Sequence, residues 1–303
     1  MAWTDTARRE HARRNPRYTS DMTDREWGLL APFMPPPRAL GRPRETDLRE
    51  VTNAILYLVS TGCQWRLLPK DFPPVSTVQR YFYAWRDDGL FVRISNTLVM
   101  RAREMEGREA SPTAGVIPSR RMQAVACQAA DSQSVKTTES GGPCGYDGAK
   151  KIKGRKRHII TDTLGFLVGL MIHTGDIQDR DGAPAVLKSI RARWPWLRHV
   201  FADGGYAGPK LKTAMKGCGA WTIEIIKRSD TATGFEVLPR PLSRFAGKPL
   251  PGSGSVVERT FAWLGRCRRL AKDWEKSIAS ATAMAFIAHI RLLTRRIARH
   301  CYA

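Results

Sequence analysis

The alternation of apolar and polar positions divides the chain into two regions of different periodicity. Over residues 1–110 the apolar side chains recur about every 3.6 positions, which is the spacing of amphipathic helices. Each predicted helix begins with a capping residue followed three positions later by Glu or Gln: Thr23 with Glu26, Asp47 with Glu50, and Ser76 with Gln79. Three short helices joined by tight loops are typical of a helix-turn-helix-like domain. We therefore predict an all-α domain over residues 1–110, of which residues 1–20 are expected to be flexible.

The second region shows the short apolar runs of β-strands, with helical patterns between and after them. Residues 111–121 contain Pro112, Gly115 and Pro118 and few large apolar groups, so we interpret them as a linker. Beyond them, strands are predicted over 124–131, 157–163, 166–173, 199–203 and 221–227, and helices over 181–194, 210–216, 255–272 and 277–300. This order predicts a mixed five-stranded sheet flanked by helices, in an α/β domain spanning residues 122–303.

The charge of the chain narrows its possible partners. The formal net charge is +22, the isoelectric point is near 10.3, and residues 121–303 hold 31 Lys and Arg against 14 Asp and Glu. Such a chain is expected to bind nucleic acid; an anionic membrane surface fits less well, because the basic residues do not form one amphipathic helix. There is no apolar run of ~18 residues and no apolar N-terminal signal segment. Six scattered cysteines without a CxxC pair indicate reduced thiols, so we expect a cytoplasmic, nucleoid-associated protein.

Three carboxylates stand at points where the predicted elements would hold them rigidly. Asp131 ends the first predicted strand, Asp203 ends the fourth, and Glu258 lies on the helix after the fifth. Converging carboxylates repel one another, and two Mg²⁺ ions, with Mn²⁺ as a substitute, would relieve that repulsion. Such an ion pair promotes phosphodiester cleavage and joining. We therefore predict these three residues as catalytic residues and metal ligands, with Asp273 and Glu275 as alternatives for the third position.

Basic residues near these elements are candidate DNA contacts. The run KKIKGRKR at 150–157 holds six basic residues in eight, and we favour phosphate binding over a solvated charge run. The candidates in the second domain are Lys136, Lys150, Lys151, Lys153, Arg155, Lys156, Arg157, Arg259 and Arg266. Those in the helical domain are Gln79, Arg80 and Arg86 on the third helix and Arg42 and Arg44 in a GRPR stretch, with ordinary solvated residues as the alternative. We interpret His158 and His173 as structural rather than metal-binding, and Trp263 as a core residue, with base stacking as the alternative.

Several longer motifs carry a family resemblance. DSQSVKTTESGGPCGYDGAKKIKGRKRH, FADGGYAG and VVERTFAWLGRCRRLAKDWE, together with the N-terminal GRPRETDLREVTNAILYLVSTGCQWRLLP, resemble the DDE transposases of bacterial IS5-family insertion sequences. The resemblance covers roughly residues 17–240 and 255–276. It implies an RNase H-like catalytic core in which Asp131, Asp203 and Glu258 match the acidic triad. It also implies hydrolysis at the ends of a DNA element and strand transfer to target DNA, by a homodimer or higher multimer that grips terminal inverted repeats.

The chain departs from the family pattern just before Glu258. An Arg-Trp pair usually precedes VVERT in the family, whereas here residues 241–255 (PLSRFAGKPLPGSGS) intervene, and we interpret 241–254 as a loop insertion. Either Arg240 or Arg244 replaces the missing arginine, or its function is lost. Two alternatives to an active transposase therefore remain: a catalytically impaired relative that acts as a sequence-specific DNA-binding repressor, and a nuclease without strand transfer.

Overall fold

Two compact units make up the part of the chain that the structure describes. The computed structural model describes residues 17–37, 41, 43–117, 133–138, 141–148, 151–203, 213–215, 222–226 and 256–300. The first unit, here the helical unit, comprises Met1–Arg108, Arg266–Ala271 and Ala283–Ala303. The second, the sheet unit, comprises Glu109–Gly265 and Lys272–Thr282. No helix among the described residues is long and apolar enough to cross a membrane.

The elements follow the chain from an all-helical part into a mixed part. The helices are α1 (Asp24–Leu30), α2 (Leu48–Thr61), α3 (Val75–Asp87), α4 (Leu90–Met105), α5 (Asp179–Ile190), α6 (Val256–Gly265) and α7 (Ile278–His300). The strands are β1 (Ala114–Ile117), β2 (Gln133–Lys136), β3 (Gly145–Asp147), β4 (Ile152–Asp162), β5 (Leu167–Thr174), β6 (His199–Asp203) and β7 (Thr222–Ile226). Short 3₁₀ turns occupy Ala31–Phe33, Trp65–Leu67 and Arg268–Leu270.

Capping explains where the first helices begin. The Thr23 hydroxyl accepts a hydrogen bond from the Glu26 amide (3.3 Å), and the Glu26 carboxylate accepts one from the Thr23 amide (3.1 Å), so the predicted capping box of α1 is confirmed. The Asp47 carboxylate caps α2 by accepting from the Arg49 amide at 2.8 Å. Helix α2 ends at Gly62, whose φ of 72° is a left-handed conformation that a side chain would strain.

The third helix and its successor differ from the sequence prediction. The predicted Ser76 cap is wrong, because α3 begins at Val75, follows Pro74 and has no side-chain cap. Helix α4 was not among the predicted helices, although Phe91, Ile94 and Leu98 are buried along one of its faces. The helical part therefore contains one long helix more than the capping residues indicated.

The C-terminal helix α7 completes the helical unit. The Ser95 hydroxyl hydrogen-bonds to the His289 imidazole at 3.0 Å, and both residues are fully buried. Burial lowers the pKa of His289 to about 3, so the ring is neutral at physiological pH. At the surface, the Arg296 guanidinium donates to the Glu106 carboxylate at 2.6 Å. The sequence placed residues 122–303 in one domain, whereas the contacts group the last part of the chain with its beginning.

The sheet unit is built around β1 and β4. Strand β1 pairs in parallel with β6, which pairs in parallel with β7, and β1 also pairs antiparallel with β4, which is antiparallel to β5. Strands β2 and β3 add to β4, giving a seven-stranded sheet where the sequence predicted five strands. The central strand β1 lies in residues interpreted as a linker, which is a correction. The strand predicted over 124–131 lies outside the described residues.

Candidate active site

Strand β6 brings Asp203 to the end of the parallel part of the sheet. Its register with β1 pairs Ala114 with His199 and Ile117 with Ala202, so the backbone of Asp203 lies one position beyond the last residue of β1. The backbone of Asp203 also pairs with Ile226 of β7. The carboxyl ends of parallel strands border the crevice in which open α/β sheets bind ligands. Of the three predicted carboxylates, Asp131 lies outside the described residues, as do the side chains of Asp203 and Glu258.

Strands β1 and β2 lie on the same edge of β4. Residues 155–157 of β4 pair with both β5 and β2, and Thr161 pairs with both β5 and β1. A strand has only two edges, and β5 occupies one of them at both places. Strands β1 and β2 must therefore share the other edge, one after the other.

The spacing of these two strands leaves an excess of chain between them. Gly115 pairs with Asp162 and Gln133 pairs with Arg157, so the chain advances 18 residues while its partner strand advances 5. The 13 residues of difference are not needed for pairing along that edge. Two segments distant in sequence thus meet at the same level of the sheet, close to the end of β6.

Helix α6, which carries Glu258, packs against β4 and β1. Its buried face consists of Val257, Thr260, Phe261 and Leu264, and the sequence pattern indicated three of these four. The Thr260 hydroxyl donates to the Gly165 carbonyl (2.6 Å) in the turn between β4 and β5, which fixes the helix on the sheet. The helix is shorter than predicted, because the chain turns extended at Cys267 and then forms a 3₁₀ turn.

Glu258 occupies a helical position with little bulk around it. It shares its face of α6 with Ala262 and Gly265, which are exposed. A β-carbon at Gly265 would meet no atom within 4 Å. Arg259, which precedes Thr260, donates to the Leu164 carbonyl at 2.9 Å and lies over the Trp263 ring at 5.1 Å. The half-buried Arg259 therefore helps to tether the helix.

The alternatives for the third carboxylate are committed to the interior. The Asp273 side chain is 2% exposed and accepts a hydrogen bond from the Arg155 guanidinium at 3.1 Å. Glu275 is also buried. Among the side chains that the structure describes, no group of three or more His, Cys, Asp and Glu is arranged to hold a metal ion.

Three cations of the basic run are buried, although all were predicted to contact DNA. Arg155 is 1% exposed and donates to the carbonyls of Pro143, Glu275 and Lys276 as well as to Asp273. Lys156 lies 3.3 Å from the Asp147 carboxylate, and Arg157 donates to the Gln133 side chain at 2.9 Å. Burial lowers the pKa of Arg157 to about 10. These three cations hold the sheet unit together from within, which corrects the expectation of a phosphate-binding surface at their positions.

Other predicted contacts remain at the surface. Lys136, Lys151, Lys153 and Arg266 are exposed in the sheet unit, and Arg44 and Arg80 are exposed in the helical unit. Gln79 is half-buried on α3, and the neighbouring carboxylate of Asp87 accepts a hydrogen bond from Arg86 at 2.7 Å, which raises the pKa of Arg86. Arg42 and Lys150 lie outside the described residues.

The two histidines of the sheet form a buried pair. The rings of His158 and His173 are 4.3 Å apart between centroids, and His173 Nδ1 is 2.8 Å from the Thr174 carbonyl oxygen. A β-carbon at Gly182 would lie 2.8–2.9 Å from these rings, so only glycine allows the first turn of α5 to pack against them. This packing agrees with the interpretation of both histidines as structural.

An Arg155 substitution tests whether the basic run is structural. Arg155→Met leaves Asp273 buried without its ion pair and three carbonyls without their donor, so we expect a loss of roughly 3–5 kcal/mol in the free energy of unfolding. Urea unfolding of the purified protein measures this loss. Lys153→Met, on the same strand but exposed, is the matched control and should change stability by less than about 0.5 kcal/mol. Equal stability of the two variants, with DNA affinity lowered only by Arg155→Met, would contradict the structural role.

Comparison with known families uses the sequence of both units. Residues 126–293 match the family model described as "Transposase DDE domain", and residues 22–95 match the one described as "Putative transposase of IS4/5 family". The chain belongs to the DDE transposase family. No curated protein and no solved structure matches it. The sheet of this DDE transposase is accordingly RNase H-like, and its central strand β1 lies before the matched residues. Members of the family generally use divalent metal ions and act on DNA.

Proposed function

We propose that this DDE transposase binds the terminal inverted repeats of its element and catalyses Mg²⁺-dependent hydrolysis and strand transfer, as a homodimer or higher multimer. The observation that carries the proposal is the shared edge of β1 and β2 on β4, beside the end of β6. It supports a common site for Asp131 and Asp203, although 72 positions separate them in the sequence.

The registers of the two strands point to one position beside Asp203. Extended by one residue, the register of β1 sets position 118 opposite Ile159 of β4 and beside Asp203 of β6. Extended backward by two residues, the register of β2 sets Asp131 opposite the same Ile159. Continuing both registers therefore assigns the place next to Asp203 to Asp131.

Glu258 supplies the third carboxylate from above the sheet. Its helix is held on β4 and β1 by the bonds of Arg259 and Thr260 to the β4–β5 turn. The small exposed residues Ala262 and Gly265 leave room beside it for a DNA strand. Because a helix fixed at its next two residues loses little entropy on binding a ligand, Glu258 is suited to hold a cation in a constant place.

The donor set fits hard divalent cations. Three carboxylates offer oxygen ligands only, which suits Mg²⁺ and Mn²⁺, whereas thiolate and imidazole ligands would favour zinc. When bound, two such ions activate the attacking water or 3′-OH and stabilise the leaving oxygen. The chain itself supplies ionised carboxylates at Asp131, Asp203 and Glu258 to hold them. Exposed cations of the sheet unit, including Lys151, hold DNA phosphates nearby.

The helical unit is proposed to recognise the ends of the element. Arg80 is exposed on α3, Gln79 and Arg86 are partly exposed beside it, and Tyr83 is 41% exposed on the same helix. Such a face can enter a major groove, where side chains read base edges. Arg86 lies over the Tyr83 ring at 4.9 Å, which orders both side chains on that surface.

Metal dependence tests the proposed function directly. The purified protein is incubated with a supercoiled plasmid carrying its reading frame and both flanks, in Mg²⁺, in Mn²⁺ or in EDTA. We expect nicked ends and joined products with either metal and none in EDTA. Calorimetric titration with Mn²⁺ alone should show binding to the wild-type protein that Asp203→Asn weakens at least about tenfold. Specific DNA binding without cleavage in either metal would favour the repressor, and cleavage without joined products would favour the nuclease.

A further inference from the structure

A short segment after α6 extends the sheet beyond β2. The Asp273 amide donates to the Lys136 carbonyl at 2.9 Å, and the Thr138 amide donates to the Asp273 carbonyl at 3.2 Å. Thr137 and Asp273 form a parallel bridge. Residues 272–276 therefore lie along the free edge of β2, within the sheet unit. The sequence analysis placed Lys272 in a helix and did not identify this surface, although the alternation in KDWEK is the period of a strand.

The segment sorts its side chains by charge. Asp273 and Glu275 are 3% and 8% exposed, whereas Lys272, Trp274 and Lys276 face solvent. The Asp273 carboxylate is paired with Arg155 in the interior. Because the acids are buried and the cations are exposed, this edge is strongly positive even though the segment itself carries two acids and two bases.

An exposed tryptophan stands between these cations. Trp274 is 38% exposed, and the Lys272 ammonium lies 5.8 Å from the centroid of its ring. Lys136, exposed on β2, is bonded through its carbonyl to the neighbouring Asp273. Alternate residues of an extended segment are roughly 6.6 Å apart, so the three lysines and the indole form a continuous strip. Lysines bind phosphates, and an indole face stacks on any unpaired base.

We propose that Lys136, Lys272, Trp274 and Lys276, the edge strip, bind a DNA strand that has unpaired bases, with the lysines on its phosphates and Trp274 stacked on a base. The proposal rests on the proposed function, because DNA cleavage and joining create the ends and flaps that expose such bases. It adds a binding surface to the sheet unit that is separate from the face of α3 and from the three carboxylates.

Binding without metal tests the edge strip independently of catalysis. Fluorescence anisotropy in EDTA measures affinity for a labelled 30-nucleotide single strand, a duplex, and a duplex with a single-stranded flap. Trp274→Ala should weaken binding of the single strand and the flap on the order of tenfold, with a smaller effect on the duplex. Lys272→Gln/Lys276→Gln should weaken binding of all three DNAs and lower the salt dependence of log K by roughly two.

The chain offers a matched control for both variants. Trp196 is 61% exposed in the same unit, and the Arg198 guanidinium lies 5.8 Å from its ring centroid. Trp196→Ala/Arg198→Gln should leave all three affinities unchanged. Thermal unfolding midpoints of all variants are compared first, and the exposed lysine pair carries the test if Trp274→Ala lowers the midpoint.

The outcomes separate the edge strip from the proposed function. Edge-strip variants that bind all three DNAs as the wild-type protein does, or that lose no more affinity than the Trp196→Ala/Arg198→Gln control, would overturn the edge strip. A wild-type protein that binds these DNAs in EDTA but never cleaves DNA in Mg²⁺ would refute the proposed chemistry while the same affinities still decide the strip. Absence of any DNA binding by the wild-type protein would overturn both.

Discussion

Replacement of Asp131, Asp203 or Glu258 by its amide, one at a time, should lower Mg²⁺-dependent DNA cleavage by at least about a hundredfold. An amide keeps the size of the side chain but removes the negative charge that holds a cation, and the charge developing on the phosphodiester is then no longer stabilised. Cleavage of the flank-bearing plasmid measures the loss. DNA affinity in EDTA should remain within about twofold, because these residues are acidic and bind no phosphate themselves.

A carboxylate outside the proposed site provides the matched control. Glu224 on β7 is exposed and hydrogen-bonds to His199 at 3.1 Å, and Glu224→Gln should cleave at the wild-type rate. An amide variant that retained wild-type cleavage would remove that residue from the site. A variant that lost DNA binding together with cleavage would indicate damage to the fold instead.

Deletion of residues 118–130 is the second change with a large expected effect. It joins Ile117 directly to Asp131 and removes the 13 residues in excess between β1 and β2, so both registers on β4 are kept. We expect the shortened protein to fold and to cleave DNA in Mg²⁺ at least as well as the wild-type protein. Calorimetry with Mn²⁺ should detect an intact metal site in it.

Deletion of residues 118–129 is the control, because it removes one residue fewer. A shift of one residue turns every side chain of a strand to the opposite face of the sheet. Either β2 shifts and buries Lys136 while exposing Val135, or Asp131 leaves its place beside Asp203. Cleavage should fall by at least about a hundredfold relative to the 13-residue deletion. Equal activity of the two deletion variants would contradict the strand register proposed for Asp131.

The sequence predicted best those elements whose signal is local. Strand β6 has the predicted bounds, and α7 begins within one residue of its prediction. The capping box at Thr23 was readable because both partners lie within four residues of each other. Strand β1 was missed because its four residues include Gly115 and lie between two prolines, so only pairing with β4 and β6 makes it a strand.

The basic run shows what a local charge pattern cannot reveal. Arg155 and Asp273 are 118 residues apart in sequence, and their pairing in the interior follows from the long-range arrangement of β4 and the segment after α6. An exposed lysine and a buried one have the same letter in the sequence. The candidate site was predictable as a set of residue types and strand ends, whereas the separation of phosphate-binding from structural cations required the packing.

The position of α7 sets the order in which the protein can mature. Ser95 and His289 are 194 residues apart and meet in the interior of the helical unit, so the two ends of the polypeptide enclose the sheet unit in the sequence. During translation the first helices emerge long before their partner, and their apolar faces must wait for the last residues. A ribosome that stops early releases a product with an incomplete helical unit, so the proposed recognition of DNA ends becomes available only after synthesis is complete.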